Sequence, residues 1–409
     1  MMMEFKHGQA FQHLEKGQHL ERLGRMDEAM VEFKRAVEAD PSVASAHIAL
    51  GHHYQRKGLI TKASDEFRIA ALLAGDYESY FNLGRALSEL ERFPEAEEAF
   101  RRCMLTERDD PGARYELAFV ECAQGRYADG LAGFQALAKE YPDDWELELA
   151  MANCYMGMQD HASAEQHLRH ALVNAPATAD ASAVREALWV SLRHLEFPAG
   201  TADSVKDRLY AEHGIVALGS GQDSGLNVPL YEDHAFTYRD IAVSLCRMLA
   251  LMHEYGWQPT ALVGLDKDSQ PIAMAVSHLL EVPVLRVDEL RSGDFALVVM
   301  AQVRQPELCE VTLEHMPGQH LSFSLAMLPD PAPGSVVDLI GAPCTGTIVL
   351  PWERPRRRSA RVAAASLLRA LAIVPEDENL AEQMAYYTEK HKVLRFLDMS
   401  GEAPPPRPV

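Results

Sequence analysis

Small and large apolar residues recur along the first half of the chain at a fixed interval. Ala29, Ala63, Ala96, Gly130 and Ala164 stand 34, 33, 34 and 34 residues apart. Four residues after each comes a large apolar side chain: Phe33, Phe67, Phe100, Phe134 or Leu168. Three further on come Ala36, Ala70, Cys103, Leu137 and Ala171. Steps of four and three put all three positions on one helical face. Twelve residues ahead of each small residue stands another, Gly17, Gly51, Gly84, Ala118 or Ala152. Leu20, Tyr54, Leu87, Glu121 and Tyr155 follow these after three. Each period therefore predicts a helix, a short turn and a second helix. The small residues let the two helices approach, and the aromatic ring is expected to fill the space towards the neighbouring repeat. Pro41, Pro142 and Pro176 stop the second helix, which proline cannot continue.

This period and pattern resemble the tetratricopeptide repeat. The resemblance covers five repeats within residues 1–176 and implies helix pairs stacked as a right-handed solenoid, because one pair cannot bury its own apolar face. His13 and Lys16 replace bulkier apolar residues in repeat one, as suits an exposed terminal repeat. Repeat four, with Gly130 and Glu121, departs furthest. The family's first helices line a concave groove that holds a protein partner. Carried onto this chain, the groove positions are Ile48 and His52, Phe81 and Arg85, Tyr115 and Phe119, and Leu149 and Asn153. A carboxylate clamp needs lysines and asparagines on this line, and only Asn153 and Asn82 fit. An apolar line with a mixed rim suits an amphipathic helix or an extended apolar segment. In the competing reading these side chains pack between repeats, or the chain's own C-terminal domain fills the groove.

Residues 177–201 read as a capping helix and linker. Val184, Leu188, Leu192 and Leu195 have helical spacing, and Phe197-Pro198-Ala199-Gly200-Thr201 breaks the chain. From 202 to 400 short apolar runs alternate with helices. Strands are expected at Ile215–Leu218, Ala261–Gly264, Val282–Val287, Phe295–Val303, Leu321–Leu328, Val336–Ile340 and Thr347–Leu350. Helices are expected at Tyr238–Tyr255, Pro271–Leu280, Ser359–Ile373 and Glu376–Leu397. This alternation predicts an α/β domain with a largely parallel sheet. Residues 401–409 read as a proline-rich disordered tail.

The order from Tyr238 to Val303 resembles the phosphoribosyltransferase core. A long helix leads to Ala261-Leu262-Val263-Gly264, a loop, the helix Pro271–Leu280, Glu281-Val282-Pro283-Val284 and a buried strand. Active members have a glycine loop that cradles a diphosphate and an acidic pair after the buried strand. This chain has Leu265-Asp266-Lys267-Asp268-Ser269-Gln270 at the first place and Met300-Ala301-Gln302-Val303 at the second. The resemblance therefore implies a degenerate copy retained for binding or structure.

Charge narrows the partners. With 39 Lys and Arg against 60 Asp and Glu, the chain carries a formal charge of −21, which disfavours nucleic acid and anionic membranes. The 6 cysteines form no Cys-x-x-Cys pair, pointing to free thiols in the cytoplasm. Cys103 occupies a core-facing repeat position. The N-terminus lacks the apolar run of a signal peptide, and no stretch approaches a membrane span. Gly219–Gly225 is glycine-rich but leads into Leu226-Asn227-Val228-Pro229 rather than a helix, so a flexible turn is expected. His161, His167 and His170 read as solvent-facing. Arg354, Arg356, Arg357, Arg358 and Arg361 form a basic cluster read as a solvated linker. No catalytic residue, metal or cofactor is expected. The sequence predicts a non-enzymatic adaptor, a tetratricopeptide-type solenoid followed by an α/β domain. The alternative is an enzyme or sensor binding a nucleotide or ribose phosphate in the α/β domain.

Overall fold

The structure, a computed structural model, describes residues 2–106, 110–176, 179–198, 202–303, 306–328, 337–353, 359–374 and 377–394. The tail at 401–409 and four of the five clustered arginines lie outside these residues; Arg361 is exposed. The chain divides into two compact units, Met1–Val184 and Arg185–Val409.

Among the described residues, the first unit holds helices in consecutive pairs: α1 (Met2–Arg22) with α2 (Met26–Ala39), α3 (Ala44–Arg56) with α4 (Ile60–Ala74), α5 (Tyr77–Glu89) with α6 (Phe93–Thr106), α7 (Pro111–Ala123) with α8 (Tyr127–Ala138), and α9 (Trp145–Gly157) with α10 (His161–Asn174). The small residues do their work inside each pair. A Cβ built on Gly17, Gly51 or Gly84 would stand 2.5, 2.5 or 2.7 Å from the ring of Phe33, Phe67 or Phe100. Each of these rings therefore closes on the glycine of its own repeat, and each also shares an apolar cluster with the next: Phe33 with Val43 and Leu50, Phe67 with Leu83 and Leu87, and Phe100 with Val120. Repeat four inverts the arrangement. Ala118 stands on its first helix, and the second supplies Gly133, whose Cβ would lie 2.8 Å from the Ala118 Cβ. Repeat five uses Ala152 with the smaller Leu168. All of these apolar partners are buried.

One residue in every intra-pair turn has a left-handed backbone: Gly24, Gly58 and Gly125 at φ 75°, 70° and 77°, and Glu91 and Gln159 at φ 57° and 61°. These five positions recur in register with the repeat. Aspartates cap the first helices of repeats three to five, Asp76 accepting from the Ser79 amide, Asp110 from Ala113 and Asp144 from Glu146 and Leu147.

In the second unit a five-stranded sheet is parallel throughout. It is built from β1 (Val216–Ala217), β3 (Ala261–Gly264), β4 (Phe295–Gln302), β5 (Gln319–Met327) and β6 (Leu339–Pro343), in the order β1-β6-β5-β4-β3. The short strands β2 (His234–Ala235) and β7 (Ile348–Val349) pair separately, also parallel. Helices α13 (Tyr238–Glu254), α14 (Gln270–Leu280) and α16 (Ala360–Leu371) bury their apolar stripes in the core on one face. On the other face lie α12 (Val205–His213) and α15 (Pro306–Glu314), through Leu209 and Leu313. The central strands are buried on both sides, which explains their unbroken apolar runs. Helix α11 (Ala179–His194) spans the division between the units.

Three expectations need correction. Val282–Val287 is no strand: Val284 makes a single parallel bridge to Leu262, and Val287–Glu289 is a 3-10 turn. Pro283 lacks the amide a ladder needs. Among the described residues, the helix expected over Glu376–Leu397 is the shorter α17 (Leu380–Ala385), followed by a wide π turn over Tyr386–Lys390; Glu376 and residues 395–397 lie outside them. Gln383, Tyr386 and Tyr387 hydrogen-bond Ser224, Asp207 and Ala217, and these long-range ties reshape the segment. Helices α12 and α15 and strand β2 had no strong periodic signal. The strand expected at Val336–Ile340 begins at Leu339, and Val336 lies outside the described residues.

Candidate functional site

The line predicted for the groove is partly core. Phe81 stacks on Tyr77 at 5.4 Å and meets the Phe100 ring edge-on at 5.9 Å. Tyr115 meets Phe134 edge-on at 5.2 Å. His52 lies 5.1 Å from the Phe67 ring, and its Nε2 is 3.3 Å from the Asn82 amide nitrogen. Ile48 and Leu149 are half-buried. Arg85, exposed, reaches Glu116 at 3.6 Å. Asn153 is exposed, and Phe119 is the large apolar side chain on this line that faces solvent, at 47% exposure.

In the α/β unit the chain leaves β3 through α14 towards the Val284 bridge, at the sheet's outer edge. It leaves β4 through α15, on the opposite face, towards β5. The connections diverge between β3 and β4. Such a switch point at the carboxyl ends of parallel strands is where open α/β sheets form a crevice. A cavity of about 500 Å³ lies there, lined by Leu265, Asp266, Asp268, Met300, Gln302 and Cys309 among others. Its loop amides are already engaged. Asp266 Oδ1 accepts the amide N–H of Asp268 and of Ser269, each at 2.7 Å, and Oδ2 accepts that of Ala301 at 3.3 Å. The loop thus supplies its own anion where a phosphate-binding loop would leave its amides free.

The glycine-rich segment Gly219–Gly225 is a tightly held turn, correcting the expectation of a flexible one. Arg247, 2% exposed, donates to the carbonyls of Leu218 (2.9 Å), Ser220 (3.2 Å) and Asp223 (3.0 Å), and to the carboxylates of Asp223 (3.3 Å) and Asp377 (2.8 Å). Burial pushes the Asp377 carboxyl up, but hydrogen bonds from Arg247 and the Asn379 amide outweigh it and leave the pKa lowered. The glycines serve packing: a Cβ on Gly221 would lie 2.8 Å from Asp240 Oδ1, and one on Gly225 2.5 Å from Gln383.

Beside this turn Lys206 is wholly buried. It donates to the Gly225 carbonyl at 2.6 Å and lies 4.0 and 4.7 Å from the ring centroids of Tyr386 and Tyr387. Burial pushes its pKa down to about 7, with Asp207 and Asp223 opposing and Arg247 reinforcing the shift. A base whose folded pKa is depressed binds fewer protons folded than unfolded between pH 7 and its ordinary value. Stability of this unit should therefore rise with pH above 7, by about 1 kcal/mol per unit. Chemical unfolding at pH 7, 8 and 9 should show the rise, and Lys206→Met should flatten it. A flat wild-type profile would count against the assignment.

Comparison with known proteins separates the units. Tetratricopeptide-repeat family models match residues 13–43, 77–110 and 121–188. The N-terminal helices are tetratricopeptide repeats. Solved structures similar to the chain include MamA, with 20% identity over 41% of this chain and 91% of that one, at a TM-score of 0.38. They also include YrrB, described as a TPR protein with an unusual peptide-binding site, with 20% identity over 42% and 90% and a TM-score of 0.39. A third is a thermophilic TPR protein of Thermus thermophilus, with 21% identity over 44% and 98% and a TM-score of 0.35. No curated protein matches the chain. Nothing found supports the phosphoribosyltransferase-like resemblance: its expected edge strand is a single bridge, and its loop amides hold Asp266.

Within the tetratricopeptide unit, sequence reading missed a recurring polar tie. His13 Nδ1 meets Glu32 at 2.7 Å, His47 Nδ1 meets Glu66 at 2.7 Å, and His167 Nδ1 meets Glu148 at 2.6 Å. Each pair is 19 residues apart, at one repeat position, with the residue types exchanged in repeat five. The signal was present: the histidine and carboxylate recur in repeat register. Lys16 also reaches Glu32, at 2.8 Å, so repeat one's polar positions bind within the repeat. Hydrogen bonds from Lys16 and His13 hold the Glu32 carboxyl down at about 2. His161 is buried and His167 half-buried, which corrects the expectation that they face solvent; His170 is exposed as expected and shares Glu148 at 3.0 Å. No cluster of three or more histidine, cysteine or acidic residues suited to a metal occurs among the described residues. None of the described helices is long and apolar enough to cross a membrane.

Proposed function

We propose that the chain is a non-enzymatic scaffold of the cytoplasm. Its tetratricopeptide unit grips a protein partner, an amphipathic helix or extended apolar segment, along the first helices. Its α/β unit supplies a second contact. Nucleic acid and membrane surfaces are not partners in this reading. The observation that carries it is Phe119, an aromatic ring left open to solvent on a line whose other aromatics, Phe81 and Tyr115, are braced from behind by Phe100 and Phe134. A large exposed ring on a rigid helical surface has the properties of an interface anchor.

Phe81 and Tyr115 are poor probes of the groove, because truncating either also removes a core contact. Phe119→Ala avoids this difficulty. It should weaken capture of the natural partner about 30-fold, the equivalent of roughly 2 kcal/mol, and leave the melting temperature unchanged. Parallel co-purification of wild type and variant from the native host, quantified by mass spectrometry, measures the first. Thermal unfolding measures the second. Equal recovery of the partner by both chains would remove Phe119 and its line from the binding surface.

The cavity at the β3–β4 switch point favours a second reading, a ligand sensor. A saturable rise in melting temperature with a nucleotide or ribose phosphate would support it. The occupied amides around Asp266 argue for no such rise.

A further inference from the structure

His47 stands on α3 and is 3% exposed, yet both of its ring nitrogens face oxygen. Nδ1 lies 2.7 Å from Glu66 Oε2 on α4, and Nε2 lies 3.0 Å from the carbonyl oxygen of Pro41, in the turn between α2 and α3. A carboxylate and a carbonyl accept hydrogen bonds and donate none. Both nitrogens therefore donate, and an imidazole ring with two N–H groups is a cation. The related pairs differ. Among the described residues, His13 and His167 meet their carboxylates through Nδ1 alone, and a neutral ring satisfies that. Two residues after Pro41, the buried Val43 joins the apolar cluster of Phe33 and Leu50. The His47 ring thus ties the turn that links repeats one and two to the second helix of repeat two.

We propose that His47 is a proton switch at the joint between repeats one and two: as an imidazolium it holds both the turn and α4, and on losing a proton it lets the turn go. A neutral ring keeps one N–H. The carboxylate is the stronger acceptor, so the N–H stays on Nδ1. The bare Nε2 then faces the Pro41 carbonyl, acceptor against acceptor, and the turn is released. On the helices packed against α3, Glu66 of α4 is the charged side chain that reaches the ring; no charge on α1, α2 or α5 acts on it among the described residues. Burial pulls the His47 pKa down, but the bonds to Glu66 and to the Pro41 carbonyl outweigh it and leave the pKa raised. The closed joint therefore holds a proton that the open one gives up. Its stabilisation is whole below the ordinary histidine value of about 6.5 and is lost as pH rises through the raised one. This is the opposite sense to Lys206 in the other unit, so a loosening at higher pH cannot come from that residue.

The test uses the full chain. Deuterium exchange at the histidine Cε1 position, read by peptide mass spectrometry, gives each ring its own titration curve, and His47 should titrate above about 6.5. Backbone amide exchange over residues 42–47, corrected for its intrinsic pH dependence, should speed up about 5-fold between about pH 6 and about pH 8.5, the effect of losing one hydrogen bond. Glu66→Gln is the decisive variant, because a side-chain amide can turn its NH2 to Nδ1 and so satisfy a neutral ring that still donates to Pro41. It should bring the His47 titration down and leave residues 42–47 equally protected at both pH values. His47→Ala, which bonds neither partner, should exchange faster than wild type at the lower pH and show no pH response. A His47 ring titrating at or below about 6.5, wild-type exchange that is the same at both pH values, or a Glu66→Gln chain that keeps the wild-type response would overturn the proposal. Glu66→Gln keeps the test sound if His47→Ala folds poorly.

Discussion

Arg247→Met should leave the α/β unit largely unfolded at physiological temperature while the repeats keep their helicity. The guanidinium holds five oxygens, and its removal leaves the Asp223 and Asp377 carboxylates without their cation and takes a donor from each of three carbonyls. Breaking a buried ion pair from one side costs about 3–5 kcal/mol, a large share of the roughly 5–15 kcal/mol by which a domain is stable. Arg247→Lys should rescue little, because an ammonium cannot reproduce a planar fork reaching carbonyls on one side and carboxylates on the other. Urea unfolding followed by tryptophan fluorescence reports mainly on this unit, which holds Trp189, Trp257 and Trp352 of the chain's 4 tryptophans, and far-ultraviolet circular dichroism is dominated by the helical one. An unchanged urea midpoint for either variant would show that the network is not holding the turn.

Gly84→Val should cost about 3 kcal/mol, the upper part of the range for overpacking a full core, because the new branches must enter the space of the Phe100 ring. The informative experiment is the double-mutant cycle. Repeat five shows that alanine at this position coexists with leucine opposite, Ala152 with Leu168. Gly84→Ala and Phe100→Leu together should therefore be less destabilising than the sum of the two, by about 1 kcal/mol or more. Thermal unfolding of the four chains gives the coupling directly. Simple additivity would mean that the ring does not rest on the glycine, as the structure has it resting.

The same pairs show why the helical unit was legible in sequence and the rest less so. A contact between Gly84 and Phe100 repeats with the chain's own period, so five noisy copies reinforce one pattern. Which way the ring points is not in that pattern. The His–carboxylate ties repeat too, but His13–Glu32 and Glu148–His167 exchange partners, so a search by residue type misses them. The α/β unit offers no copies to average. Its buried strands, such as Phe295–Gln302, announce themselves by apolar runs. Pairing between Tyr387 and Ala217, or between Arg247 and Asp377, joins residues more than 100 positions apart and leaves no local trace. The anion-like role of Asp266 was invisible for a related reason: sequence gives the charge of a loop but not which amides face it.

The closure of the Phe33, Phe67 and Phe100 rings on the glycines of their own repeats has a mechanical consequence. Rigidity is concentrated inside the hairpins, and what joins one hairpin to the next is apolar contact and salt bridges such as Arg85–Glu116, at 3.6 Å. Under tension the array should behave as stiff links on compliant joints, lengthening first between hairpins and then yielding one link at a time. Stretched in an optical trap, it should give a sawtooth whose steps match the contour length of about 34 residues, with the link containing Gly133 and Ala118 among the first to give way.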